Sequence, residues 1–264
     1  MAETESLNKT KRELLVRNKA AASNRVRRMG CGSKIETYRF CMENDIPVPK
    51  LLYSNIDDQI GSIDEIFACT EFVLKVENTC STKGIYPFVR VGDNKYKCLF
   101  KKPRQGELAT AYMSKESIVS ELIVGKEVLV EESLLTFNSE QEPVIPHDYK
   151  VVVINNQYEF VRGINRNVGD EAEICTYNLD DGSNITDQFW VKPPLHHAQP
   201  LARTKIELIK RFLSKHVFKL NHKGLMSWDL YIHDGKCYLG EFTLHPGPLH
   251  YSNVKPEYCR QINH

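Results

Sequence analysis

Two carboxylates near the end of the chain have the spacing to hold a divalent cation. Asp229 and Glu241 lie in the stretch S-W-D-L-Y-I-H-D-G-K-C-Y-L-G-E-F-T-L-H-P-G-P. Residues 228–233, the turn Asp234-Gly235 and residues 236–244 read there as a β-hairpin. Counted outward from the turn, the two acids fall nearly opposite each other and share a face if the register allows it. Paired carboxylates repel unless a cation lies between them, and Mg²⁺ is typically held by one or two carboxylates together with substrate phosphates. A surface hairpin with one exposed acid on each strand also fits. The apolar flanks Trp228, Leu230, Leu239 and Phe242 argue instead for buried strands.

Cations that could meet phosphate oxygens lie upstream. Lys75 sits within E-F-V-L-K-V-E-N, where an ammonium among apolar neighbours is costly unless it meets an anion. The following loop, residues 78–84, offers hydroxyls, backbone N–H groups and Gly84, and can fold over phosphates. It is not a Walker A loop, and a snorkelling lysine before an ordinary hairpin loop fits the same residues. V-L-V-E-E-S-L-L at 128–135 is a strand pattern running into two acids. Asp148-Tyr149-Lys150 precedes another apolar run, with Arg162 and Arg166 beyond it. Two arginines and a lysine could clamp phosphate or carboxylate oxygens; they equally fit a solvated basic face.

The elements that must position these groups are of mixed type. Residues 72–76, 128–130 and 149–154 have strand patterns. Residues 35–44 read as a short helix closed by Asp45-Ile46-Pro47-Val48-Pro49. Apolar residues at 206, 208, 209, 212, 213, 217 and 220 define an amphipathic helix. Residues 178–200, with His196-His197 and Trp190, read as a long excursion. Its adjacent histidines are better taken as loop residues than as metal ligands, and Trp190 as a packing anchor. His245 and His250 flank a Pro-Gly-Pro turn near Glu241.

Composition sets the wider bounds. The 264 residues carry a formal net charge of +1, with 41% hydrophobic and 26% charged residues, the balance of a globular protein rather than a disordered chain. No apolar run reaches the length of a membrane span, and no signal-peptide pattern opens the chain. No aromatic-plus-basic pattern for RNA binding is present. Eight cysteines, none in a CxxC pair, read as free thiols in a reducing, cytoplasmic setting. Residues 1–30 hold eight Lys/Arg against three Asp/Glu, a net +5, leaving −4 for the remainder. Residues 7–28 favour a helix. This segment is either a solvated helix packed on the body or a basic arm, residues 9–28, for an anionic partner.

Taken in order, these motifs resemble the ATP-grasp superfamily, nearest to its TupA-like branch associated with teichuronopeptide and polysaccharide biosynthesis. The resemblance runs over roughly residues 30–250. Gly32-Ser33-Lys34 leading to Ile46-Pro47-Val48-Pro49 is similar to the family's opening, whose lysine contacts ATP phosphate. Phe72-Val73-Leu74-Lys75 is similar to the strand of the second phosphate-binding lysine, and 78–84, with Ser81, Thr82 and Gly84, to the loop that closes over the phosphates. Residues 128–134 resemble the hinge, where Val130, Glu131, Glu132 and Leu134 would meet adenine and ribose. The D-Y-K strand at 148–158, with Lys150 and Arg162, and the D-x11-E hairpin followed by F-T-L-H-P-G-P resemble the branch's own motifs. Asp229 and Glu241 would then be the magnesium ligands. Thr243 stands where most members carry Asn, and only about thirty residues precede Lys34.

The resemblance implies an α+β ATP-grasp fold, two α+β lobes clasping the nucleotide, with a reduced N-terminal domain. It divides the chain into a basic helical segment (1–30), a reduced pre-ATP-grasp segment (31–66), a small lobe (67–130) and a large lobe with the metal-binding hairpin (131–264). The implied cofactors are ATP and one or two Mg²⁺, with Mn²⁺ as a substitute. The implied activity is carboxylate–amine ligation through an acyl phosphate on a small-molecule, glycan- or peptide-linked acceptor, with Arg162 and Lys150 stabilising the transferred phosphoryl group. A kinase acting on a sugar or peptide hydroxyl shares the ATP half of the site. A non-catalytic nucleotide-binding or assembly protein is a third alternative.

Overall fold

The computed structural model describes residues 24–57, 59–79, 84–99, 112–168, 172–222, 224–244, 253–255 and 258. In chain order the strands are β1 (Leu51–Ser54), β2 (Glu71–Val76), β3 (Ile85–Gly92), β4 (Lys95–Cys98), β5 (Tyr112–Met113), β6 (Val128–Glu132), β7 (Thr136–Phe137), β8 (Pro143–Val144), β9 (Asp148–Ile154), β10 (Gln157–Asn165), β11 (Glu173–Asn178), β12 (Leu225–His233) and β13 (Lys236–Thr243). The helices are α1 (Asn24–Gly30), α2 (Lys34–Glu43), α3 (Ile63–Ala68), α4 (Lys115–Ile118), α5 (Thr186–Phe189) and α6 (Arg203–His216). The strand patterns at 72–76, 128–130 and 149–154 all fall within strands. Of the helix expected at 7–28, residues 7–23 lie outside the described residues.

The strands form two antiparallel sheets and a small ribbon. The first sheet has the order β1-β6-β2-β3-β4-β5, the second β11-β10-β9-β12-β13, and β7 pairs with β8. The buried side chains of the first sheet (Phe72, Leu74, Phe88, Tyr96, Val128 and Val130) pack with Ile66 and Phe67 of α3 and Ile118 of α4. Helix α3 is set by a capping box between Ser62 and Glu65.

The second sheet has two unlike faces because side chains alternate along each strand. One face, with Tyr149, Val151, Val161, Trp228, Leu230 and Phe242, is covered by α1, α2 and α6. From α6 come Ile206, Ile209, Phe212 and Leu213, all buried as their spacing demands. The opposite face carries an apolar patch at one end, where Val152, Phe160 and Leu225 meet Phe189 and Trp190. The excursion at 178–200 thus folds back over this face through α5. Among the described residues no helix is long and apolar enough to cross a membrane.

Helix α2 serves both sheets. Its Phe40 and Cys41 join the core of the second sheet, while its Ile35 packs with Leu51 and Leu129 of the first and with Ile56 just beyond β1. Ser33 caps its start by accepting from the Glu36 amide at 3.4 Å.

Candidate active site

Four residues singled out by sequence fall in one row across the second sheet. Arg162 on β10 pairs with Lys150 on β9, Lys150 with Asp229 on β12, and Asp229 with Glu241 on β13. Directly paired residues share a face, and this is the face opposite the α6 layer. Asp148 and Ser227 sit two residues along from Lys150 and Asp229, and Thr243 two along from Glu241, so they join the same face.

A bulge makes the row possible. Two-residue turn geometry at Asp234 (φ 48°) and Gly235 (φ 68°) starts the hairpin. The register then runs His233 to Lys236, Ile232 to Cys237 and Leu230 to Leu239, and shifts so that Asp229 meets Glu241. Gly240 is the extra residue. In a regular, unbulged register Gly240 would face Asp229, and Glu241 would keep the phase of Leu239 and turn into the apolar core.

The electrostatics of the row are those of a partly compensated charge cluster. The Lys150 ammonium bonds to the Asp229 carboxylate and lies 3.2 Å from Asp148. Arg166 reaches the same Asp148 oxygen at 3.2 Å, and Ser227 donates to Asp229 at 2.8 Å. Burial raises the Asp229 carboxyl above its usual range; the Glu241 charge adds to this and Lys150 opposes it. Burial raises Asp148 in the same way. Burial works against the Lys150 ammonium, yet Asp229 and Asp148 outweigh it and raise its pKa. Arg162 is 2% exposed and lies over the Trp190 ring at 5.3 Å. Its Nε and Nη1 are buried without a hydrogen-bond partner, and burial lowers its pKa to about 10. A buried guanidinium with unused donors is suited to an anion that arrives with a ligand.

Strand β2 and helix α2 supply two further cations. Lys75 on β2 lies 2.5 Å from Glu131 of β6, both buried. The Lys34 ammonium, at the start of α2, donates to the Thr79 carbonyl (2.9 Å) and hydroxyl (3.0 Å). Glu132 accepts from the Lys50 amide at 2.9 Å. The Val130 side chain belongs to the apolar core, and Leu134 is buried. Gly84, at φ +67°, packs against Val76 and Thr79. Ser81, Thr82, His245 and His250 lie outside the described residues.

Asp148, bound to Lys150 and Arg166, and Glu77, which accepts from the Lys34 amide at 2.9 Å, belong to these clusters but are not among the sequence candidates. Asp148 was visible as the first residue of D-Y-K; nothing in the sequence marked Glu77. His196 and His197 each contact a single carboxylate, Asp187 at 3.4 Å and Glu173 at 3.8 Å. Among the described residues no group of three or more His, Cys, Asp or Glu side chains is placed to hold a metal. Asp229 and Glu241 form a two-carboxylate oxygen donor set, with the Thr243 hydroxyl 3.4 Å from Glu241. Such a hard-oxygen pair fits Mg²⁺ when a ligand supplies the remaining oxygens.

No protein-family model matches the chain, and no curated protein matches its sequence. Solved structures do match its fold. D-alanyl-alanine synthetase A from Vibrio cholerae aligns with a TM-score of 0.51 at 16% identity, over 89% of this chain and 61% of that one. D-alanine–D-alanine ligase from Bacillus anthracis gives 0.50 at 13% identity, over 88% and 62%. An ADP complex of N5-carboxyaminoimidazole ribonucleotide synthetase gives 0.50 at 12% identity, over 84% and 46%. The fold is therefore α+β ATP-grasp, as the motif order implied. The chain spans about half to three-fifths of the length of these structures.

Proposed function

We propose that the protein is an ATP- and magnesium-dependent ligase that joins a carboxylate to an amine through an acyl phosphate. The observation that carries this reading is the row Arg162–Lys150–Asp229–Glu241 on one face of the second sheet, in a fold shared with carboxylate–amine ligases. Asp229 and Glu241, assisted by Thr243, would hold Mg²⁺, which neutralises phosphate charge when bound. Lys34 and Lys75 bind phosphate oxygens, and the loop with Ser81, Thr82 and Gly84 covers them. Glu131, Glu132 and the chain from Val130 to Leu134 meet the adenosine. Arg162 presents its unused donors to the transferred phosphoryl group, with Lys150 beside it, where a dry site strengthens their effect.

The chemistry balances without a protein nucleophile. A substrate carboxylate oxygen bonds to the γ-phosphorus of ATP as the bond to ADP breaks. An amine nitrogen then bonds to the acyl carbon, phosphate leaves, and the amine gives up a proton. The TupA-like resemblance points to a polysaccharide- or peptide-linked acceptor. Cys31, Cys41, Cys69, Cys98, Cys175 and Cys237, none of them in a disulfide, suit a reducing cytoplasm.

The test is release of ADP and phosphate with pooled carboxylates and amines. Turnover that requires both pools, and that Asp229→Asn and Glu241→Gln each lower by at least about a hundredfold, is expected. A stable phosphorylated hydroxyl product with no amine requirement would replace the ligase by a kinase. Mg-ATP binding without turnover on acid, amine and sugar panels would leave a binding protein. Lys75→Ala is the weaker control, since it strands the buried Glu131 charge.

A further inference from the structure

We propose that Glu77 is a positioning residue, whose carboxylate fixes the start of α2 and so presents the Lys34 ammonium to the nucleotide phosphates. This rests on the reading of Lys34 as a phosphate-binding residue. Glu77 follows β2 directly and is 7% exposed. Its Oε1 accepts from the Ser33 hydroxyl at 2.5 Å. Its Oε2 accepts from the amides of Lys34 at 2.9 Å and Ile35 at 3.3 Å. A buried carboxylate is tolerated only with such donors, and here the positive end of the ten-residue α2 adds to them.

The same turn holds the other end of Lys34. Its ammonium donates to the carbonyl and hydroxyl oxygens of Thr79, and the Thr79 hydroxyl donates to the Val76 carbonyl at 2.7 Å. Backbone nitrogen and side-chain nitrogen of Lys34 are thus both bound by residues 77–79. The Glu77 amide in turn donates to the Glu127 carbonyl at 2.9 Å, which fixes the turn to the first sheet. Close approach of the two segments needs Gly32. At φ +102° it leaves no room for a Cβ, which would lie 2.9 Å from the Thr79 carbonyl oxygen. A lysine stem has many rotamers to lose when it is ordered. Thr79 removes part of that freedom at the ammonium and Glu77 fixes the backbone from which the stem starts, both before nucleotide arrives, which is preorganisation.

Glu77→Ala, Glu77→Gln, Lys34→Ala and the Glu77→Ala/Lys34→Ala double variant separate the possibilities, read by calorimetric titration of the full chain with Mg-ADP and by KM for Mg-ATP. Glu77→Ala should weaken Mg-ADP about tenfold. Glu77→Gln should stay within about threefold, because its carboxamide oxygen still accepts from the two amides while Ser33 accepts from its NH₂. Added to Lys34→Ala, Glu77→Ala should do little more. Equal weakening in both backgrounds, or none in the wild-type background, would overturn the positioning role. Lys34→Ala with undiminished affinity would instead sink the phosphate-binding reading, and this proposal with it. Should Glu77→Ala fail to fold, Glu77→Asp decides: it keeps the charge but draws it back from the α2 amides, so the same tenfold loss is expected and unchanged affinity refutes the role.

Discussion

Arg162 has a buried guanidinium whose Nε and Nη1 lack partners, and burial holds its pKa near 10. Asp148 and Asp229 pull the other way without restoring it. A cation held like this works against folding, since replacing buried charge by apolar volume is commonly neutral or stabilising. Arg162→Met should therefore fold with stability equal to wild type or about 1–3 kcal/mol higher, less the Trp190 contact. Its kcat should fall about 10²–10³-fold if the guanidinium meets charge in the transition state. Thermal melts and steady-state kinetics on one preparation check both halves. A drop in stability together with activity would make Arg162 a structural residue. Lys150, satisfied by Asp148 and Asp229, carries no such opposite expectation.

At the scale of the element, the β12–β13 hairpin shows how a single residue changes what a strand presents. Its tight turn was legible from Asp234-Gly235, as was the apolar alternation of Trp228, Leu230 and Leu239. Counting from that turn sets Gly240, not Glu241, opposite Asp229; the bulge supplies the missing step. Gly240 also lies beneath the Tyr231 ring, where an added Cβ would come within 2.5 Å of it. Gly240→Ala should thus lower stability by about 1–3 kcal/mol and reduce Mg-dependent turnover by displacing Glu241. Urea denaturation and turnover measured against Mg²⁺ concentration test this. Unchanged values in both would mean that the ring yields freely and the bulge is not set by Gly240.

At the scale of the molecule, α2, which packs on both sheets, ends beside the segment that follows α6. Lys219, just beyond α6, donates to the Asn44 carbonyl at the end of α2. His216 is buried there against the Phe212 ring. Burial, reinforced by Lys219 and Lys215 and opposed by Asp45, pushes its pKa down to about 4. The unfolded chain, with an ordinary histidine near 6.5, therefore binds the proton more readily. The stability conferred by neutral His216 is complete above about pH 6.5 and is lost as pH falls toward 4. Its full extent is on the order of 3 kcal/mol. Urea midpoints at pH 7.5 and pH 5 should differ less for His216→Gln than for wild type. An identical acid loss in both would assign it to other groups.

What the sequence determined by itself is local. The short apolar runs of β2, β6 and β9, the amphipathic stripe of α6 and the turn at Asp234-Gly235 each follow from strand-length apolar patterning, helical spacing or φ preference over neighbouring residues. The order of the motifs carried the ATP-grasp fold as well. The tertiary structure alone decided which polar and charged groups meet. Lys75 with Glu131, Lys34 with Glu77 and Thr79, and Lys150 with Asp229 pair across roughly forty to eighty residues of chain. Each partnership depends on strand register and on a helix start docked against a turn. Those are set by the burial of whole sheet faces, and a one-residue slip there would reverse every side chain on a strand. The two carboxylates at 229 and 241 were therefore readable as candidates, while the bulge that brings them to one face was not.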